Sequence, residues 1–187
     1  MQNDSQFIVP ENVPVPAQMI GRNHEITAVL NSVEQGTSVF ISGTAGIGKT
    51  ALAATVAIQA RDHKSFSGGV AWASMMVTSS GEAGLFEALG SIGRALHIDT
   101  IARAGDVNQR RNALHDFLQE RPRTLLVLDD VDPGLPLKDL IDMIHAPGHL
   151  VLIVTSRLPI ELVLQSHLRN GRNILWNKQE DNMLPNP

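Results

Sequence analysis

Residues 37–57 read TSVFISGTAGIGKTALAATVA, and how this stretch divides decides the fold. Val39, Phe40 and Ile41 make a short apolar run of strand-forming residues that leads into Gly43-Thr44-Ala45-Gly46-Ile47-Gly48-Lys49-Thr50. From Ala51 an alanine-rich helix follows at once. The middle segment fills every fixed position of G-x-x-x-x-G-K-S/T, in the strand–loop–helix setting that the pattern requires. Its glycines let backbone N–H groups turn inward with no Cβ in the way. The new helix aims its unpaired N–H groups and positive dipole end at the same point. Lys49 then reaches β- and γ-phosphates, and the Thr50 hydroxyl is placed to ligate Mg²⁺. An ordinary glycine-rich turn would not need all of these residues together. The expected phosphate-binding set is Gly43, Thr44, Ala45, Gly46, Ile47, Gly48, Lys49, Thr50 and Ala51, and the expected ligand is a nucleoside di- or triphosphate.

Working outward, 187 residues suffice for one α/β domain with a buried core. Aromatic residues are only 4%, so that core should be aliphatic. The net charge of −4 argues against a nucleic-acid-binding face across the domain. With no cysteine, disulfides, thiol catalysis and cysteine metal sites are excluded, which fits a reducing compartment. No apolar run approaches the roughly 20 residues of a membrane span. The first residues, MQNDSQFIVPENVPVP, do not have the pattern of a secretion signal. A cytoplasmic location and no membrane contact are expected.

Residues 1–18, with Pro10, Pro14 and Pro16, read as an extended lead-in. Residues 19–176 read as the nucleotide-binding domain, and 177–187 as a polar, frayed tail. Asn23 is expected to cap a helix from His24 to about Gln35, ended by Gly36. Strands are expected at Thr37–Ser42, Val70–Val77, Thr124–Leu128, His149–Thr155 and Asn173–Trp176. Helices are expected from the loop to about Asp62, from Val107 to Glu120, near Leu137–Ile144 and over Pro159–Leu168. Between Glu82 and Leu96 a helix is interrupted by Gly84, Gly90 and Gly93. Each costs about 1 kcal/mol relative to alanine, so this element should be mobile or need packing support. Thr124–Leu128 and Leu150–Thr155 are almost wholly apolar rather than alternating, as in a parallel sheet covered on both faces. The expected fold is α/β: a three-layer αβα sandwich around a parallel sheet of about five strands, of the P-loop NTPase (ASCE) type.

Ligands of such sheets sit outside the carboxyl ends of the strands. Leu128 leads there into Asp129-Asp130, and Thr155 into Ser156-Arg157. Asp129 is placed to hold Mg²⁺ opposite Thr50. Asp130 could orient or deprotonate an attacking water, which makes it the candidate catalytic residue. Arg157 could set a permanently charged fork on a γ-phosphate and sense it. Turn or capping roles for the aspartates, and a surface ion pair for Arg157, are the structural alternatives. His145 and His149 have i, i+4 spacing, but Pro147 and Gly148 between them break any helix, which disfavours a metal pair. Asn177-Lys178-Gln179-Glu180 approaches a guanine-reading N-K-x-D, yet Glu180 is one methylene too long, and adenine is favoured.

With these segments in place, the chain resembles the nucleotide-binding domain of the STAND, or NB-ARC-like, signalling ATPases, from about Met19 to Arg157. Ile20-Gly21-Arg22-Asn23-His24-Glu25 is similar to the hydrophobic-Gly-Arg-x-x-Glu segment that opens the family. The resemblance implies that Ile20, Gly21 and Arg22 lie against the adenine. Gly68-Gly69-Val70-Ala71-Trp72 resembles its second strand. It implies a switch in which ADP holds the protein closed, while exchange for ATP opens it and promotes self-assembly or contact with a protein partner. The helical lid and winged-helix domain of the family would begin about where this sequence ends, so either a fragment or a truncated protein is expected, with nucleotide partly open to solvent. Three readings stand side by side: a slowly hydrolysing ATP/ADP switch, a nucleotide-holding scaffold without turnover, and a P-loop phosphotransferase. The third lacks an arginine-bearing lid.

Overall fold

Runs of Val, Ile and Leu bounded by Gly, Pro and polar residues form the strands, and periodic stretches between them form the helices. The computed structural model describes residues 13, 14, 19, 21–132, 134–144 and 149–157, and the backbone of 172–175. In chain order these are α1 (Asn23–Glu34), β1 (Val39–Ser42), α2 (Lys49–Asp62), β2 (Gly69–Ser74), α3 (Gly81–Ala95), α4 (Asp99–Arg103), α5 (Val107–Gln119), β3 (Thr124–Val131), α6 (Leu137–Ile144), β4 (Leu150–Ser156) and β5 (Arg172–Leu175). The five strands are parallel, in the order β2-β3-β4-β1-β5. This is the expected α/β sheet.

Alternate strand residues enter two separate cores, because side chains of a strand point to opposite faces. Phe40, Ala71, Leu126, Leu128, Leu152 and Val154 pack with α3, α5 and α6 on one face. Val39, Ile41, Val70, Leu125, Val127 and Ile153 pack with α1 and α2 on the other. Helices therefore cover both faces of the sheet, and the three layers follow. The cores are mainly aliphatic, with Phe40, Phe66 and Trp72 as buried aromatics.

Several boundaries differ from expectation. The first helix begins at Asn23, not after it: the Arg22 carbonyl accepts the Ile26 N–H at 3.1 Å and so opens the ladder one residue earlier. Its end is as expected, with Gly36 at φ +84°. Strand β2 stops at Ser74: Met75 N–H still bonds Asp129 O at 2.7 Å, but Val77 N–H then turns back onto Met75 O at 2.7 Å. Helix α3 is continuous through Gly84, Gly90 and Gly93, all of them buried. A Cβ on Gly93 would lie 2.7 Å from Ile101 Cγ2, and one on Gly84 2.6 Å from Ser79 O. Close packing supplies what helix propensity withholds. The short α4, which carries Ile101, was not foreseen. The expected helix over Pro159–Leu168, Ile20, Trp176, most of the lead-in and the tail lie outside the described residues.

Candidate functional site

The strand order sets β1 between β4 and β5, with β3 beyond β4, so the carboxyl ends of β1, β4 and β3 are neighbours. Ser42 of β1 pairs in register with Ser156 of β4. The loop that leaves β1 turns through Gly46 at φ +78° and Gly48 at φ +102°, conformations that cost an L-residue about 1–2 kcal/mol. Gly48 is the N-cap of α2, and no side chain caps that end. The first N–H groups of a helix lack intrahelical partners, so this end is open to an anion. Ala53, Ala54, Ala57 and Ala60 are buried and keep α2 close to the sheet. Ile47 packs against the α1/α2 core.

Lys49 is only 7% exposed despite its charge. Its ammonium donates to Gly43 O at 2.8 Å and Thr44 O at 2.9 Å, lying within the curve of the loop. Burial holds it below the ordinary lysine value; the carboxylates of Asp130 and Asp129 work against that shift, and Arg157 adds to it. A desolvated cation framed by glycine backbone is a site for a polyanion.

The second cluster is a chain of hydrogen bonds across three elements. Thr50 Oγ1 on α2 donates to Asp129 Oδ1 at 2.9 Å, and Thr155 Oγ1 on β4 donates to the same oxygen at 2.7 Å. Thr155 Oγ1 in turn accepts the Asp130 N–H at 2.8 Å. Bonds to a charged acceptor of this kind contribute about 1.5–3 kcal/mol each. Strand β3 runs on through both aspartates, two residues against one on β4 between the Leu128–Val154 and Val131–Ser156 pairs. The extra residue is a bulge, and Asp130 takes a left-handed φ of +54° there. Bulges of this type re-aim a side chain. Asp130 Oδ2 accepts from Arg157 Nη2 at 3.3 Å. Asp129 is buried, Asp130 is partly exposed, and Arg157 is more exposed still.

The structure thus brings together Lys49, Thr50, Asp129, Asp130 and Arg157. Gly21, at φ +76°, and Arg22, paired with Glu25 at 3.0 Å, sit at the start of α1. The Met19 methyl would lie 3.8 Å from a Cβ on Gly48, so the segment before α1 approaches the loop. Thr155 was missed as a site residue. Its signal was a hydroxyl ending an otherwise apolar strand. His149 Nε2 lies 2.9 Å from Leu118 O, and His145 lies outside the described residues. Among the described residues no three His, Cys, Asp or Glu side chains could hold a metal ion together. Thr50 and Asp129 offer only hard oxygen donors, which suits Mg²⁺ when phosphate and water oxygens complete its shell.

A family model for the NB-ARC domain matches residues 22–158. No curated protein matches the chain at a significant level. Among solved structures, the chain is similar to the ADP form of the Aeropyrum pernix ORC2 protein, at 16% identity and TM-score 0.61 over 92% of this chain and 52% of that one. The Aeropyrum pernix ORC1 protein in complex with DNA gives 18% identity and TM-score 0.60 over 91% and 48%. AMPPCP-bound DnaA from Aquifex aeolicus gives 17% identity and TM-score 0.50 over 90% and 51%. At these identities the likeness is one of fold. The chain spans about half the length of each.

Proposed function

Because the chain belongs to the NB-ARC domain family, and is thus a nucleotide-binding P-loop NTPase domain, we propose that it is the ATP/ADP-binding part of a signalling switch. The observation that carries this is Lys49, buried and bonded inside the glycine loop while Thr50 bonds Asp129 across the sheet. In this reading residues 19–176 form the domain, and Gly43–Ala51 wrap the phosphates by their N–H groups. Gly21, Arg22 and the neighbouring Ile20 lie on the adenine side, supported by the approach of Met19 to Gly48. Thr50 and Asp129 would hold Mg²⁺, which supplies charge neutralisation at the phosphates when bound. Asp130 is the proposed base for slow hydrolysis, positioned by its bulge. Arg157 is the proposed γ-phosphate sensor. A protein partner or self-association, and a cytoplasmic location, belong to the same reading; direct nucleic-acid contact does not, given the net charge of −4.

The scaffold reading without turnover is favoured by one contact. Asp130 Oδ2 already accepts from Arg157, which occupies one of the lone pairs with which the carboxylate would take a proton from water. Calorimetry with ATP, ADP and GTP, with and without Mg²⁺, joined to a phosphate-release assay, separates these possibilities. Adenine nucleotides should bind, GTP should bind more weakly, and Mg²⁺ should tighten ATP. Absence of heat with either adenine nucleotide would overturn the proposal. Asp130→Ala should keep Mg-nucleotide binding and lose any phosphate release; equal release rates would exclude Asp130 as the base, and no release from the wild type would assign the scaffold reading.

A further inference from the structure

A second charged cluster lies away from the loop, where α3, α5 and the end of β2 meet. The Arg110 guanidinium of α5 lies over the Phe86 ring of α3, its Cζ 3.4 Å from the ring centroid, and donates to Phe86 O at 2.6 Å. Gly90 makes the room: a Cβ there would collide with Arg110 Nη1. Arg110 Nε is the one buried side-chain nitrogen or oxygen without a hydrogen-bond partner among the described residues. An unpaired buried donor on a charged group costs on the order of 1–3 kcal/mol or more. Arg94 stands beside it and makes no hydrogen bond or ion pair among the described residues. Burial, and then the like charge of Arg94, push the Arg110 guanidinium below its ordinary value.

Both arginines line a half-open pocket of about 300 Å³, with Phe86, Glu87, Met76 and Val77. That volume is at the small end for ligand sites and suits one or two side chains of a partner. Glu87 does not neutralise the arginines; it accepts from Ser79 Oγ at 2.6 Å and from Thr78 N at 3.0 Å. Its charge at the rim disfavours a dianionic phosphate and leaves a carboxylate as the better match. Met76, 78% exposed, is the exposed large hydrophobic side chain among the described residues. Arginine, methionine and aromatic residues together are the composition of a protein-contact patch, not of a solvated face.

We propose that this pocket docks an acidic peptide segment of a partner protein, with one carboxylate on the Arg94–Arg110 pair and an adjoining apolar side chain on Met76 and Val77. It stands independently of the nucleotide reading, because no residue of the loop or of the Asp129 cluster takes part.

The test is fluorescence anisotropy of a short labelled peptide that alternates glutamate and leucine, against its glutamine–leucine counterpart, with and without Mg-ADP. The glutamate peptide should bind saturably and more weakly as salt rises. The glutamine peptide and the Arg94→Gln variant should each bind roughly tenfold more weakly, the loss of one charge-assisted contact. Met76→Ser should lose several-fold. Arg94 is exposed, so its variant folds even if one at Arg110 does not; Arg110→Lys keeps the charge and should still weaken binding by loss of the fork. Equal binding of the two peptides, or an unaffected Arg94→Gln, would overturn the proposal. So would full displacement by an equal concentration of free glutarate, which would assign a small carboxylate, or self-association that Arg94→Gln abolishes, which would assign a second copy of the chain.

Discussion

A Cβ on Gly46 would meet nothing within 4 Å, whereas one on Gly93 would lie 2.7 Å from Ile101 Cγ2. Gly46 and Gly48 sit at positive φ, and Gly93 in a regular helix. The loop uses glycine for a conformation that L-residues resist; α3 uses it for the volume it leaves. The loop end of the sheet is open and polar, built on backbone groups, while the α3 side is closed and built on contact. A composition count treats these glycines alike, and only the structure separates a binding device from a packing device.

The contrast breaks most directly at α3. Gly93→Leu should overpack the α3–α4 contact and lower stability by about 1–3 kcal/mol in denaturant unfolding. Nucleotide affinity of the folded fraction should be unchanged; a stable variant would show that this packing is loose. Asp129→Ala leaves the Thr50 and Thr155 hydroxyls without their shared acceptor and should cost about 2 kcal/mol. It should also erase the Mg²⁺ dependence of nucleotide affinity, and an intact dependence would move the metal role elsewhere. Gly48→Ala meets only Met19 at 3.8 Å, so its cost is conformational, about 1–2 kcal/mol. That loss should fall on nucleotide affinity, because a strained loop presents its N–H groups poorly; a pure stability effect would make the loop a packing element like α3. Arg157→Ala removes an exposed pair, so stability should change by less than about 1 kcal/mol. ATP should weaken more than ADP, and a uniform change would make Arg157 structural.

The loop, the apolar run before Asp129-Asp130 and the strand before Ser156-Arg157 were legible because each is a local pattern: consecutive apolar residues with a polar stop. The bulge that turns Asp130 was not. It depends on a hydroxyl 25 residues away, and no spacing within the strand announces it. The continuity of α3 was hidden for a related reason, since Gly93 and Gly90 are matched by Ile101 of α4 and Arg110 of α5, which belong to other helices. The Arg94–Arg110 pocket is likewise a product of packing. What stays local in sequence could be read there, and what is made by contact between distant elements could not.

Titration calorimetry of ADP into the folded wild-type protein and into Lys49→Ala bears most directly on the central claim, that the glycine loop is a phosphate cradle closed by a buried lysine. The account predicts binding by the wild type and a loss of roughly hundredfold or more in the variant, the worth of a charge-assisted contact to phosphate, with the fold retained. Equal affinity in the two proteins would contradict it.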